Sequence, residues 1–248
     1  MKILGVIPSR YASSRFPGKP LVDIAGKSMI QRVYEQASLS KSLSEVVVAT
    51  DDERIFSHVQ NFGGKVMMTS DTHSTGTERC AEIVEKMAGE WDLVINIQGD
   101  EPFISPDQID NVASAFEDSN VHIATLAKKI SQLAELESPH VVKVVFSITG
   151  MAIYFSRFPI PFLRNVEKNQ EILETQHFYK HIGLYAYRPE MLKKIIQLAP
   201  SSLESAESLE QLRWIENGLG IKVELTDLDS FGIDTPEDLL KIDQKFLR

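Results

Sequence analysis

Short apolar runs, rich in valine and isoleucine, alternate along the chain with segments whose apolar positions recur at helical spacing. The apolar runs predict strands at 2–7, 45–50, 65–69, 93–97 and 122–127. The helical stripes predict helices at 27–39, 52–62, 77–87 and 106–116, the last one opened by a capping box at Ser105. Strands that alternate with helices through short loops are typical of a parallel sheet covered on both faces. The sequence therefore predicts an α/β fold with a doubly wound, mostly parallel sheet.

The pattern changes after residue 130. Strands at 141–146 and 152–157 flank Thr149-Gly150, which predicts an antiparallel hairpin. The remaining pattern predicts strands at 181–187 and 222–226, helices at 189–198 and 203–217, and a final helix capped at Thr235. We interpret residues 1–248 as a single domain, and residues 150–185 as an antiparallel hairpin or arm inserted into it. Such an arm is a natural surface for a homodimer.

Composition argues against several classes of protein. The 248 residues include 26 Lys and Arg against 35 Asp and Glu, a formal net charge of −9, which argues against binding to a nucleic acid polymer. A single cysteine, Cys80, leaves no disulfide framework and no CxxC metal site. The apolar runs are much shorter than the roughly 18 residues needed to cross a membrane. We therefore expect a cytoplasmic protein with no membrane association.

The loop after the first strand carries most of the candidate chemistry. In a doubly wound sheet, ligands bind outside the carboxyl ends of the strands. Arg10, Arg15 and Lys19 fall within ten residues of this loop, among small residues that let backbone amides face a ligand. Amides and cations together suit a phosphate chain, whereas a solvated basic loop is the alternative. The loop is not a Walker P-loop, and the chain holds no GxGxxG sequence.

Two carboxylates fall where a metal ion could bridge phosphate oxygens. Asp100 follows the apolar strand 93–97, and Asp234 directly precedes the final helix. Mg²⁺ is commonly held by one or two carboxylates together with substrate phosphates. The alternative for both residues is an ordinary aspartate in a turn or at a helix start. Read with the basic loop, the two carboxylates predict binding of a nucleoside triphosphate with Mg²⁺.

Several motifs, taken in order, resemble the CMP-sugar synthetases, and most closely the 3-deoxy-manno-octulosonate (Kdo) cytidylyltransferases. The resemblance covers essentially the whole chain. Its motifs are the first loop and the segments 49–52, 76–79, 98–102, 142–145, 154–157, 181–185, 209–213 and 234–238. It implies a nucleotide-diphospho-sugar transferase-like fold and transfer of CMP from CTP to an eight-carbon keto sugar acid, for lipopolysaccharide synthesis. The anomeric hydroxyl would attack the α-phosphorus and pyrophosphate would leave in line.

The resemblance also implies roles for individual residues. Arg10, Arg15 and Lys19 would hold the triphosphate, with Arg15, Lys19 and Asp100 acting in catalysis and Ser13 as a further substrate contact. Asp100 and Asp234 would bind Mg²⁺. The stretch Thr77-Glu78-Arg79 would lie beside the nucleotide and the sugar, with Arg79 as a substrate ligand. The residues implied to line the sugar-acid site are Gln98, Arg157, His181, Tyr185, Glu210 and Gln211.

Other functions fit parts of this pattern. The same chemistry could act on 8-amino-Kdo or on a sialic acid. A nucleotidyltransferase that acts on a sugar 1-phosphate would usually open with a GxGTR-type loop, which is absent here. A catalytically silent regulator would bind CTP without turnover.

Overall fold

A computed structural model describes residues 1–12, 16–87, 89–164, 171–240 and 242 of the chain. Its strands are β1 (Ile3–Ser9), β2 (Asp23–Ile24), β3 (Lys27–Ser28), β4 (Glu45–Thr50), β5 (Val66–Met68), β6 (Leu93–Asn96), β7 (Ile123–Lys129), β8 (Lys143–Phe146), β9 (Ala152–Ser156), β10 (Tyr179–Tyr187) and β11 (Lys222–Leu225). Its α-helices are α1 (Met29–Ala37), α2 (Glu53–Asn61), α3 (Gly76–Lys86), α4 (Pro106–Ser114), α5 (Leu133–Glu137), α6 (Ile172–Thr175), α7 (Pro189–Ile195), α8 (Ser202–Glu207), α9 (Glu210–Glu216) and α10 (Pro236–Leu239).

The strands of the main sheet lie in the order β11-β7-β10-β6-β1-β4-β5. β1 pairs in parallel with β4 and β6, β4 with β5, and β7 with β11. β10 is antiparallel and lies between β6 and β7. The predicted α/β class and mostly parallel sheet are confirmed. The strand predicted at 122–127 is also present, but β10 separates it from β6.

Helices cover both faces of this sheet, as predicted. Alternate residues of β1 enter two different apolar clusters: Ile7 packs with residues of α1 and α4, and Val6 packs with residues of α3 and α9. Because both faces are covered, the central strands are apolar along nearly their whole length. The covered faces leave the strand ends and their loops as the place for polar chemistry.

The helix boundaries confirm one prediction from the sequence and correct another. The capping box predicted at Ser105 is present, with Gln108 as its partner and Pro106 at the first helical position. The single helix predicted at 203–217 is wrong: two helices, α8 and α9, meet at Ser208, which has φ 52°. A non-glycine residue in this left-handed region ends α8 and turns the chain into α9.

The predicted hairpin is present as β8 and β9. Lys143 at the start of β8 pairs with Lys180 of β10, so the hairpin joins the main sheet. The role of residues 150–185 as a dimer arm stays a prediction. Within the described residues, no helix is both long and apolar enough to cross a membrane.

Candidate active site

A cleft of about 260 Å³ opens at the carboxyl ends of β1 and β6. The side chains lining it come from four separate parts of the chain. They are Pro8, Ser9, Arg10, Lys19, Pro20, His73, Ser74, Thr75, Gly76, Arg79, Gln98, Gly99, Asp100 and Asp234. This is the edge of the sheet at which doubly wound proteins bind their ligands.

Lys19 lies between the two predicted metal ligands. Its Nζ is 2.9 Å from Oδ2 of Asp100 and 3.3 Å from Oδ1 of Asp234. The amide of Ile233 donates to the carbonyl oxygen of Asp100 at 2.9 Å, which ties the C-terminal loop to the loop after β6. Residues separated by more than a hundred positions therefore converge on one ammonium group.

The arrangement of Asp100 and Asp234 bears on whether the site can hold Mg²⁺. Two carboxylate oxygens meet at a single cation and face a cleft that can admit phosphate, which is a donor set that suits Mg²⁺. In the described part of the chain, no group of three or more His, Cys, Asp or Glu side chains is arranged to hold a metal ion. The site therefore fits a metal ion whose remaining ligands come from substrate and water.

The neighbouring Glu101 points away from this centre. It is only 8% exposed and does not line the cleft. Burial and the nearby Asp100 raise its pKa to about 7, although a hydrogen bond with Ser230 opposes this shift. Of the two adjacent carboxylates, Asp100 is thus the one placed for ligand chemistry.

Close backbone approach shapes the floor of the cleft. A Cβ atom on Gly99 would lie 2.7 Å from the carbonyl oxygen of Pro8, so a larger residue would push the loops after β1 and β6 apart. Gly18 has φ +73° and precedes the short 3₁₀ helix that begins at Lys19. These two glycines let Lys19 and Asp100 meet. Ser13 and Arg15, predicted as ligands from the same loop, lie outside the described residues.

The N-terminus of α3 forms one wall. Thr75 caps the helix, and Glu78 completes a capping box by accepting from the backbone of Thr75. Ser74, Thr75 and Gly76 line the cleft. The first amides of a helix carry partial positive charge, so this wall favours an anion.

Arg79 lies in the same wall but is largely committed to the protein. It is 3% exposed, and its guanidinium donates to Asp51 at 2.6 Å, to Thr69 at 2.7 Å and to the carbonyl of Ser70 at 3.0 Å. It lines the cleft while anchoring the loop after β5. Its role as a substrate ligand stays a prediction.

Gln98 connects the cleft to β10. Its Nε2 donates to the carbonyl of Gly183 at 2.9 Å, and the side chain also lines the cleft. A Cβ atom on Gly183 would lie 3.7 Å from Cγ of Gln98, which is ordinary contact. Gln98 therefore links the wall of the cleft to β10, the strand that carries the predicted sugar-acid residues His181 and Tyr185.

His181 and Tyr185 face each other on β10, with ring centroids 5.3 Å apart. They share a face, as predicted, although the pairing with β7 is irregular between Ile182 and Tyr185. Nε2 of His181 is 3.0 Å from Oγ1 of Thr125, and burial lowers the pKa of His181 to about 3, which keeps the imidazole neutral. Neither ring lines the main cleft.

Glu210 and Gln211 open α9. Oε2 of Glu210 accepts a hydrogen bond of 3.0 Å from Oγ1 of Thr77, at the start of α3. Burial raises the pKa of Glu210 to about 7, although the bond from Thr77 opposes this shift. Gln211 is 6% exposed, so it is buried in the protein and not a solvated side chain of the helix surface.

Arg157 is placed differently from the other predicted sugar-acid residues. Its guanidinium donates to the carbonyls of Pro139, Glu207 and Ser208 at 3.1, 2.7 and 3.3 Å. The bonds to Glu207 and Ser208 hold the turn between α8 and α9, and Arg157 is not among the residues that line the main cleft. Its predicted pairing with a sugar carboxylate would require some of these bonds to change.

His73 is a cleft residue that the sequence pattern did not single out. It lines the cleft, with Nε2 2.5 Å from Glu82. The available signal is positional, because His73 follows β5 in the same way that Asp100 follows β6. A histidine without a motif around it gave no chemical reason to single it out.

The cleft lies at the carboxyl ends of a covered α/β sheet and has cations and carboxylates at its centre. This arrangement is typical of the α/β proteins that bind nucleotides. Residues 4–224 match a family model described as cytidylyltransferase. A 3-deoxy-manno-octulosonate cytidylyltransferase from Parabacteroides distasonis is 54% identical over 97% of this chain and 96% of its own. A protein of the same name from Bacteroides thetaiotaomicron is 54% identical over 100% and 99% of the two chains.

A solved structure of CMP:2-keto-3-deoxy-manno-octonic acid synthetase complexed with CTP is 45% identical, with a TM-score of 0.89 over 97% of this chain and 96% of that chain. The chain belongs to the cytidylyltransferase family and, within it, to the 3-deoxy-manno-octulosonate cytidylyltransferases. A 4-diphosphocytidyl-2C-methyl-D-erythritol synthase from Anaerococcus prevotii, 16% identical with a TM-score of 0.61 over 100% and 99% of the chains, shares the fold alone.

Proposed function

We propose that this protein transfers CMP from CTP to Kdo and releases pyrophosphate, with Mg²⁺ held by Asp100 and Asp234. The observation that carries the proposal is the meeting of these two carboxylates with Lys19 in a cleft at the carboxyl ends of the sheet. The names of the relatives support the two substrates, and the solved relative with CTP supports the nucleotide.

The nucleotide half of the reaction needs positive charge around a triphosphate. Arg10 and Lys19 supply it from the loop after β1, and the amides at the start of α3 supply partial charge from the opposite wall. When bound between Asp100 and Asp234, Mg²⁺ would neutralise phosphate charge and polarise phosphate oxygens. Lys19 offsets the charge that develops on the departing pyrophosphate.

We assign the sugar-acid half to the residues beside β10. Gln98, His181, Tyr185, Glu210 and Gln211 offer the mixed donors and acceptors that a polyhydroxylated ring requires. Arg157 would supply a cation for the carboxylate of the acid by exchanging some of its bonds to backbone carbonyls. The sugar hydroxyl would approach the α-phosphorus from this side, opposite to the departing pyrophosphate, and no covalent intermediate with the protein is needed.

The acceptor can be tested by measuring pyrophosphate release from CTP in the presence of Mg²⁺. We expect release with Kdo at a rate well above that with 8-amino-Kdo or a sialic acid, assayed in parallel. Faster release with 8-amino-Kdo would keep the chemistry and change the acceptor. Binding of CTP without release for any acceptor would contradict the proposed reaction and favour a regulator.

The proposal includes a cytoplasmic homodimer. Three large apolar side chains of the 150–185 segment are exposed: Ile153 by 59%, Phe158 by 67% and Phe162 by 80%. A second copy of the chain that covered them would remove their apolar surface from water. The buried thiol of Cys80 is compatible with a reducing compartment.

Replacing Phe162 with aspartate is expected to weaken this dimer. The new carboxylate would lose its water in an apolar interface that offers it no partner. An unpaired buried charge costs about 3–5 kcal/mol. Light scattering over a range of protein concentrations should give twice the 27.9 kDa chain mass for the wild type and less for Phe162→Asp. Leu39→Asp, at an apolar side chain that is 65% exposed and lies outside the 150–185 segment, is the control. A monomeric wild type would refute the dimer.

A further inference from the structure

Glu210 is a partly buried carboxylate with few partners. In the described part of the chain, Oγ1 of Thr77 is the one group seen to donate a hydrogen bond to it, at 3.0 Å. Arg213, on the same helix, directs its guanidinium to both carboxylate oxygens of Glu204 instead. The hydroxyl of Thr77 therefore determines the orientation of the Glu210 carboxylate.

The other groups that face Glu210 do not replace this bond. The charged groups that act on it are Arg213 of α9, Glu204 of α8 and Glu78 of α3. Cys80, Tyr185 and Tyr187 lie close enough to feel its charge, and burial raises the pKa of all three, so they stay neutral. Glu204 offsets the charge of Arg213, and the one remaining charge, that of Glu78, repels a carboxylate.

Thr77 is itself held in place. It is 2% exposed, lies in the first turn of α3, and follows Gly76, which lines the nucleotide cleft. A β-branched side chain in a helix has few rotamers open to it, and burial restricts them further. The hydroxyl is thus a rigid donor that connects the wall of the nucleotide cleft to the first residue of α9.

We propose that Thr77 is a positioning residue for the reaction, because its hydroxyl orients Glu210 toward the sugar acid. This inference rests on the proposed function, which places Glu210 beside the acceptor. In this account Thr77 acts on the acceptor through Glu210. Its loss therefore weakens use of the sugar acid and leaves use of the nucleotide nearly unchanged.

The test compares Thr77→Val, which keeps the shape and removes the hydroxyl, with Thr77→Ser, which keeps the hydroxyl. We expect Thr77→Val to raise the KM for Kdo roughly tenfold, which is the scale of a lost hydrogen bond to a charged group. The KM for CTP should stay within about twofold, and Thr77→Ser should restore the KM for Kdo to within about twofold of wild type. Thr77→Ala serves the same purpose if the valine variant does not fold.

Thr226→Val is the matched control. Thr226 is 9% exposed, and its Oγ1 accepts one hydrogen bond, from the amide of Leu228 at 3.2 Å. The substitution removes a buried hydroxyl of the same kind away from the cleft, and both KM values should stay near wild type. An equal rise of the two KM values in Thr77→Val would show a merely structural role and overturn the inference.

A double-mutant cycle with Glu210→Gln separates this inference from the function on which it rests. If Thr77 acts through Glu210, Thr77→Val should add almost nothing to the KM for Kdo in the Glu210→Gln background. Additive effects would overturn the positioning role and leave the proposed function standing. A Glu210→Gln variant with unchanged KM for Kdo would instead remove Glu210 from the acceptor site. No release from CTP and Kdo by the wild type would overturn the function itself.

Discussion

Asp100→Asn should lower kcat for pyrophosphate release roughly a thousandfold, because a metal clamp on a transferring phosphoryl group contributes several kcal/mol to the rate. Asparagine keeps the size of the side chain and the backbone carbonyl that accepts from Ile233. It removes the charge that faces Lys19 and the proposed metal ion. The largest effect should therefore fall on the chemical step and not on folding.

The stability of Asp100→Asn should change little. The side chain of Asp100 is 32% exposed, and a partly exposed ion pair contributes on the order of 1 kcal/mol or less. Circular dichroism should show a melting temperature within a few degrees of wild type. Asp107→Asn, at an exposed aspartate in the first turn of α4, is the matched control and should retain full activity. Near-wild-type turnover by Asp100→Asn would exclude Asp100 as the catalytic metal ligand.

The position of Asp100 was predictable because one rule covers it. An apolar run ends at Ile97, the chain turns, and a polar residue at the carboxyl end of a parallel strand faces the ligand edge. The same rule found the cationic loop after β1. It could not show that Asp234 reaches the same point, because that depends on the backbone bond between Ile233 and Asp100, residues far apart in sequence.

The place of β10 in the sheet shows a second limit. Periodicity predicts that residues 181–187 form a strand, but it does not say which strands are its neighbours. The structure inserts it antiparallel between β6 and β7, which brings Gly183 to Gln98 and so joins the two halves of the proposed site. Strand pairing over such a sequence distance is a property of the whole fold.

The local sequence does not show which partners the charged side chains have. The sequence motif that contains Arg79 predicts a ligand. In the structure the guanidinium of Arg79 is paired with Asp51, twenty-eight residues earlier in the chain. Arg157 is similarly engaged by three carbonyls. The break between α8 and α9 at Ser208 is not marked by a glycine or a proline in the sequence. In each case the deciding contact is tertiary, and local pattern carries no information about it.

Lys19→Met should produce opposite effects on turnover and on metal binding. The ammonium of Lys19 is the one group seen in the described residues to contact both Asp100 and Asp234, and its side chain is 14% exposed. Without it, the departing pyrophosphate loses a pre-positioned cation, and we expect kcat to fall by a factor of about 10²–10³. The substitution should change the affinity for CTP by a smaller factor than it changes kcat.

The free enzyme, in contrast, should bind Mg²⁺ more tightly in Lys19→Met, by roughly fivefold, because an ammonium ion worth on the order of 1 kcal/mol no longer competes for the two carboxylates. Calorimetric titration with Mg²⁺ in the absence of nucleotide measures this directly. Lys27→Met removes an exposed lysine paired with Glu35 and should change neither quantity. Weaker Mg²⁺ binding in Lys19→Met would contradict the assignment of Asp100 and Asp234 as a shared metal site, since removing a competing cation cannot weaken a site that both carboxylates form.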